Sequence, residues 1–318
     1  MLNPSSLYEF LASPEPVRPG VLLIGVEGFM DAGHTVRLLT DHLLDTSTPE
    51  HLVSFDADQV YDYRGRRPSI IFDTNKFEDF QRPRLDLYRL EDRDGRTYYL
   101  LRGVEPDFQW ERVSAAVIEL IRTLGVTETI SWHGVPMAVP HTRPIGHSLN
   151  ATDEHLIGGA VSPFGRVQIP SSFAQMLQLR LGEAGHKALG VVVHVPHYLS
   201  DNDFPDAALT ALNAIQDAGD LNLPNDALVA AVSDSRLAIA EAIRENPQIT
   251  EIVEAVENQY DEFVRNRRAQ GIPGPEPVVP TAEELGAEFE EFLKNIEGTD
   301  DGSTGHDGAG GHDGGAGA

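Results

Sequence analysis

The run Val21-Leu22-Leu23-Ile24-Gly25-Val26, closed by Glu27-Gly28, constrains this chain more than any other feature. Six residues without a polar side chain leave no face for water, so the run reads as a strand buried on both sides. That is the signature of a parallel sheet with helices on each face. Asp31 follows where a helix N-cap belongs, ahead of His34 to Leu44 with Val36, Leu38, Leu39, Leu43 and Leu44 at helical spacing. His51 to Asp56 and Ser69 to Phe72 read as two more strands, and strand, helix, strand predicts a βαβ unit with a right-handed crossover.

The alternation continues. Gln109 to Leu124, Ser171 to Leu181 and Asp206 to Asp217 have helical periods, while Thr129 to His133 and Ala188 to Val195 read as strands. Between them, Asp94-Gly95 joins two apolar and aromatic arms from Arg84 to Arg102, the strongest short signal for a hairpin because a type I′ turn requires positive φ. From Leu228 only helical periods remain; Asn246-Pro247 separates two helices, and the second carries the stripe Ile249, Ile252, Val253, Val256, Tyr260, Phe263, Val264. Gly271 to Pro280 is a linker, and Thr281-Ala282-Glu283-Glu284 opens a last helix with Leu285, Phe289, Phe292 and Leu293. The expected organisation is an arm over 1–20, an α/β core over 21–220 carrying the hairpin, a helical appendage or lid over 221–297, and a disordered, dispensable tail over 298–318.

Composition narrows the function. With 318 residues and 41% apolar usage a substantial core can form. Zero cysteines exclude disulfides, thiol catalysis and cysteine metal sites. No segment has the roughly 20 apolar residues that span a bilayer. Residues 1–20 lack the basic start and apolar run of a signal peptide, so the expected location is the cytoplasm. The formal charge is −26; residues 201–318 hold 25 acidic against 6 basic side chains, and residues 1–200 hold 25 against 18. So acidic a chain is poorly suited to nucleic acid or to an anionic membrane.

Ligands of open α/β sheets bind beyond the carboxyl ends of the strands. Three such ends look alike here: Glu27-Gly28 through Asp31 to Gly33, His133-Gly134-Val135-Pro136, and His194-Val195-Pro196-His197. They predict one cavity, with a helix N-terminus aimed at it as an anion site. His141 and Arg143, on the loop after the fourth strand, add groups for acid/base work or for gripping a carboxylate or phosphate. The candidate pocket is therefore Glu27, Gly28, Asp31, Gly33, His133, Gly134, His141, Arg143, His194 and His197. Taken singly, Gly28 and Gly33 are explained by turn geometry and Asp31 by capping. No Gly-x-Gly-x-x-Gly, Walker loop or Gly-x-Ser-x-Gly is present, and His141, His147 and His155 lack compact metal-ligand spacing, so no cofactor and no metal is expected. Asp153-Glu154-His155 and the tail pairs His306-Asp307 and His312-Asp313 read as solvated runs.

Gly28-Phe29-Met30-Asp31-Ala32-Gly33, following Val21 to Val26, resembles the opening motif of the proteasome assembly chaperone family: an apolar strand, then Gly, an aromatic residue, a variable residue, Asp, Ala or Gly, and Gly. Gly134-Val135-Pro136 and Pro140-His141-Thr142-Arg143-Pro144 resemble what its actinobacterial branch carries, and the resemblance spans about residues 20–265. It implies a phosphorylase-like three-layer α/β/α core; with the hairpin and C-terminal helices read above, the expected fold is a three-layer α/β/α sandwich, phosphorylase- or hydrolase-like, with a β-hairpin insertion and a helical C-terminal region. It also implies homo-oligomers, a trimer first, and in eukaryotic relatives the escort of proteasome α-subunits. Those chaperones act through protein contacts, so no catalytic residue carries over. Two functions follow: a non-catalytic assembly or interaction module, which the missing nucleophile favours, or a hydrolase- or phosphorylase-like enzyme using His133, His141, Arg143 and His194 on an anionic ligand.

Overall fold

In the computed structural model the described residues are 2–158, 166–245 and 247–269. Strands β1 (Tyr8–Phe10), β2 (Gly20–Glu27), β3 (Glu50–Phe55), β6 (Leu85–Glu91), β7 (Thr97–Val104), β8 (Val126–Met137), β9 (His147–Ala151) and β10 (Lys187–Pro196) form one sheet in the order β1-β3-β6-β7-β2-β8-β10-β9. A separate two-stranded sheet pairs β4 (Ile71–Asp73) with β5 (Lys76–Glu78). The helices are α1 (Thr35–Asp45), the short α2 (Ala57–Val60), α3 (Trp110–Leu124), α4 (Phe173–Glu183), α5 (Pro205–Gly219), α6 (Asp226–Glu245) and α7 (Pro247–Ala269). Apart from Arg166 and Val167, the described residues belong to a unit built from Met1–Pro163 and Gln168–Val279.

The run Val21–Val26 is buried throughout and lies mid-sheet, parallel to β7 on one side and β8 on the other. Alternation splits its side chains between two cores. Leu22, Ile24 and Val26 pack with α3 and α4 through Val113, Val117, Phe173 and Leu177; Val21 and Leu23 pack with α1 and α5 through Val36, Leu39, Ala208 and Leu212. Helices on both faces of one sheet make a three-layer α/β/α sandwich.

Three expected elements differ. The strand β3 runs in the direction of β2 but is not beside it, because the two strands β6 and β7 lie between them. The hairpin around Asp94-Gly95 is thus part of the main sheet: Tyr98, Tyr99 and Leu100 are fully buried, and Asp92 fixes the turn by accepting from the Asp94 and Arg96 amides. Ser69 to Phe72 is no core strand; its end enters β4, whose residues are all exposed. The helix after Asp31 starts one turn late, at Thr35, because Ala32–His34 form a 3-10 turn with Gly33 at φ 67° and His34 at φ 49°.

Elsewhere the sequence and structure agree closely. α3 ends where Gly125 takes φ 70°, and α4 opens on a capping box between Ser172 and Gln175. The residues before β2 include β1, which covers the outer edge of β3. The stripe expected over 249–264 lies on α7, with Val253, Val256 and Tyr260 buried. The linker over 271–280, the helix opening at Thr281 and the tail over 298–318, with its His-Asp pairs, lie outside the described residues.

Candidate functional site

The three expected strand ends lie side by side, since β2, β8 and β10 are consecutive parallel strands. Two of the expected strand ends run on further than the sequence reading placed them. Gly134, Val135 and Pro136 are inside β8, and His194 to Pro196 inside β10, paired Val195 with Pro136. The β2–β8 pairing stops at Ser131, so Pro136 sits where β8 has only β10 as neighbour and a missing N–H costs the ladder little.

Pleating then divides the candidate residues between the two sheet faces. On the α1/α5 face, Asp31 reaches back to the first turn of α1: its carboxylate accepts the Val36 N–H at 2.8 Å and the Arg37 N–H at 3.4 Å, with the Gly134 amide also bonded to it. Burial pushes the Asp31 carboxyl up, and these amides oppose the shift. A Cβ on Gly134 would stand 2.1 Å from the Ala32 carbonyl oxygen, so only glycine lets this turn lie on β8. Gly33 accepts a comparable fit against Val195 and Phe204, and exchanges backbone bonds with the loop after β10: its N–H donates to Ser200 and its carbonyl accepts from Phe204. Glu27 points to the same face, and burial together with Asp31 and Asp41 raises its pKa against the opposing pull of Arg102 and Arg37.

His133 and His194 lie on the other face, toward α4, since Trp132, Val193 and Val195 belong to the α1/α5 core. Burial lowers both imidazoles to about 4, so both are neutral at physiological pH. His194 is fully buried; Nε2 contacts the Ser148 hydroxyl at 2.8 Å and Nδ1 has no partner. Gly28 borders this face: the Glu105 carboxylate passes 3.2 Å from where its Cβ would be and accepts the first amide of α4, from Phe173, at 3.0 Å.

A third group gathers beneath α7. His141 Nδ1 lies 2.8 Å from the Tyr198 hydroxyl, which also accepts the His141 N–H at 3.0 Å. Arg143 donates from Nε and Nη2 to the two carboxylate oxygens of Asp261 at 3.0 and 2.8 Å, and Nη1 lies 3.4 Å from Glu257. Arg236 of α6 donates to the buried Asp206 in the first turn of α5. His197 is exposed, its ring edge against Tyr198. His147 lies on the edge strand β9, and His155 in a turn capped by Asp153. Glu105, Tyr198, Asp206, Glu257 and Asp261 carried no local signal, because each acts on a segment distant in sequence. Arg143 was legible as a candidate cation, but its carboxylate partners were not.

Two hollows among the described residues measure about 30 and 10 Å³. The first is lined by Glu128, Lys187 and Leu156 near the strand starts, and the second lies under α4. No three His, Asp or Glu among the described residues are grouped to hold a metal ion. No described helix is long and apolar enough to cross a membrane.

Comparison with known proteins follows the same lines. A Mycobacterium tuberculosis protein of unknown function, Rv2714, is 38% identical, with 84% of this chain and 92% of that one covered and a TM-score of 0.79. A Corynebacterium glutamicum protein of unknown function is 33% identical over 82% of this chain and 98% of its own, at a TM-score of 0.76. The proteasome-assembly chaperone homologue Rv2125 of M. tuberculosis is 26% identical over 73% and 99%, at a TM-score of 0.67. No curated protein matches the chain. Residues 25–243 match the PAC2 family, and this chain belongs to the PAC2 family.

Proposed function

We propose that the chain is a non-catalytic protein-assembly module of the cytoplasm that works as a homo-oligomer. The observation that carries this is the β4–β5 hairpin. Ile70, Ile71, Phe72, Phe77 and Phe80 are all exposed, Phe72 and Phe77 at 62% and 69%, with their rings 5.1 Å apart. A two-stranded hairpin with bare aromatic rings is marginal alone in water and marks a contact surface. Its charge singles out a second copy as the partner. Residues 61–84 hold six basic and four acidic side chains in a chain of net charge −26, and Arg64, Arg66, Arg67, Arg82 and Arg84 flank the hairpin, so the base of this arm is attracted to an acidic surface such as a second copy presents. A head-to-tail contact that closes into a ring covers every arm, and the ring we propose has three members by analogy with phosphorylase-like folds. Assembly with another protein, as the name of the chaperone homologue suggests, would use the remaining surface.

The alternative, an enzyme acting on an anionic ligand, has less support. The first amides of α1 and α4 already bond to Asp31 and Glu105, and His133 and His194 are uncharged. A pocket for a small ligand retains one argument, the unpartnered Nδ1 of His194.

Light scattering tests the assembly. The wild type is expected at three times 34.8 kDa, and Phe72→Asp with Phe77→Asp at one copy with an unchanged circular dichroism spectrum. A monomeric wild type, or an oligomeric double variant, removes the proposal.

A further inference from the structure

We infer that Arg143 is a releasable clasp: its fork onto Asp261 and Glu257 holds α7 on the strand-end loops, and breaking it frees α7 while the sheet stays folded. The inference goes beyond the assembly role and does not rest on it. Among the α7 side chains that are described, Val253, Val256 and Tyr260 are buried, and α6 buries Leu228 and Val232. α3, by contrast, buries eight side chains over 15 residues. Ion pairs between distant segments add to this apolar contact. Arg143 takes both oxygens of Asp261 and approaches Glu257, and the neighbouring Thr142 hydroxyl donates to Glu257 as well. Arg236 to Asp206 is the matching tie from α6. The side chains of Arg143 and Asp261 are 31% and 48% exposed, so the fork is screened by salt and is of a strength that a change in conditions can break.

Acid should release the same clasp. His141 is faced by Tyr198 from the loop after β10, Glu257 from α7, Asp206 from α5 and Arg236 from α6, with Arg143 two residues along its own loop. Burial holds its imidazole below the ordinary value, against the pull of Glu257 and Asp206. Arg143 likewise holds the Asp261 carboxyl below its ordinary value. When α7 leaves, the Asp261 carboxyl loses Arg143 and binds a proton more readily than in the clasped state. Falling pH therefore favours release as it nears the ordinary carboxylate value, about 4.

Hydrogen exchange on the full chain, read by mass spectrometry, tests the clasp. At neutral pH and low salt, Arg143→Gln should make α7 amides exchange several-fold faster, with β2 and β8 unchanged and Arg143→Lys intermediate. Added salt should speed α7 exchange in the wild type and have little effect in Arg143→Gln. Mild acid, after correction for intrinsic exchange, should speed it in the wild type. Unchanged α7 protection in Arg143→Gln, or equal salt response in both proteins, overturns the inference. So does loss of protection in α7 and the sheet together, and so does α7 protection that rises on acidification. Should Arg143→Gln not fold, Asp261→Asn breaks the fork from the helix side and is read by the same outcomes.

Discussion

Asp31 and His194 show how single residues at the strand ends serve the fold. Asp31 gathers amides from Val36, Arg37 and Gly134, tying the end of β2 to α1 and β8. Replacing a cap of this kind with alanine costs roughly 1–2 kcal/mol, and more where a second element loses its tie. Asp31→Ala should lower stability by at least that amount, read from urea unfolding. His194 makes stability depend on pH. Its folded pKa is about 4, while an unfolded imidazole titrates near 6.5. The unfolded chain takes up a proton as pH falls through 6.5 and the folded chain does so only near 4, so stability drops across that window and then levels. For this one residue the loss amounts to about 3 kcal/mol. His194→Gln should flatten the slope by about one proton between those limits. A slope unchanged from the wild type would mean that His194 is not linked to folding.

At the scale of elements, the two hairpins have opposite fates. Residues 84–102 carry the stronger turn signal and are an inner part of the sheet; residues 71–78 carry a weaker one, Thr74-Asn75, and stand exposed. A local turn signal reports that two strands meet, not what lies beside them. Leu87 and Leu100 are 2% and 0% exposed, on opposite faces of the sheet. Leu100→Asp should therefore cost on the order of 4 kcal/mol or more, by burying an unpaired carboxylate, and abolish the folded state rather than the oligomer. A folded, monomeric Leu100→Asp protein on thermal melting and light scattering would assign the contact to this hairpin instead of to β4–β5. The α-helices were read more closely, because periodicity, Gly125 and Asn246-Pro247 bound them locally.

Across the whole molecule, burial is graded. β2, β7, β8 and β10 lie between two apolar layers, while α6 buries two side chains in 20 residues. Local opening follows the burial it must undo, so amides in the second half of α6 should exchange far sooner than those of β2 and β8. Comparable protection in both would mean that the helical pair is as integral as the sheet. The sequence alone determined the inner strands and the long helices, though not β1, β5 and β9, together with the cover on both faces of the sheet and the family motif at Gly28–Gly33. It did so because periodicity, capping and turn chemistry act between residues a few positions apart. Strand order, the division of the candidate residues between two faces, and the partners of Arg143, Asp206 and His194 were decided only by the tertiary structure. Those depend on which distant segments become neighbours: β6 and β7 come between β3 and β2, and pleating sends Gly134 and His133, adjacent in the chain, to opposite sides of the sheet.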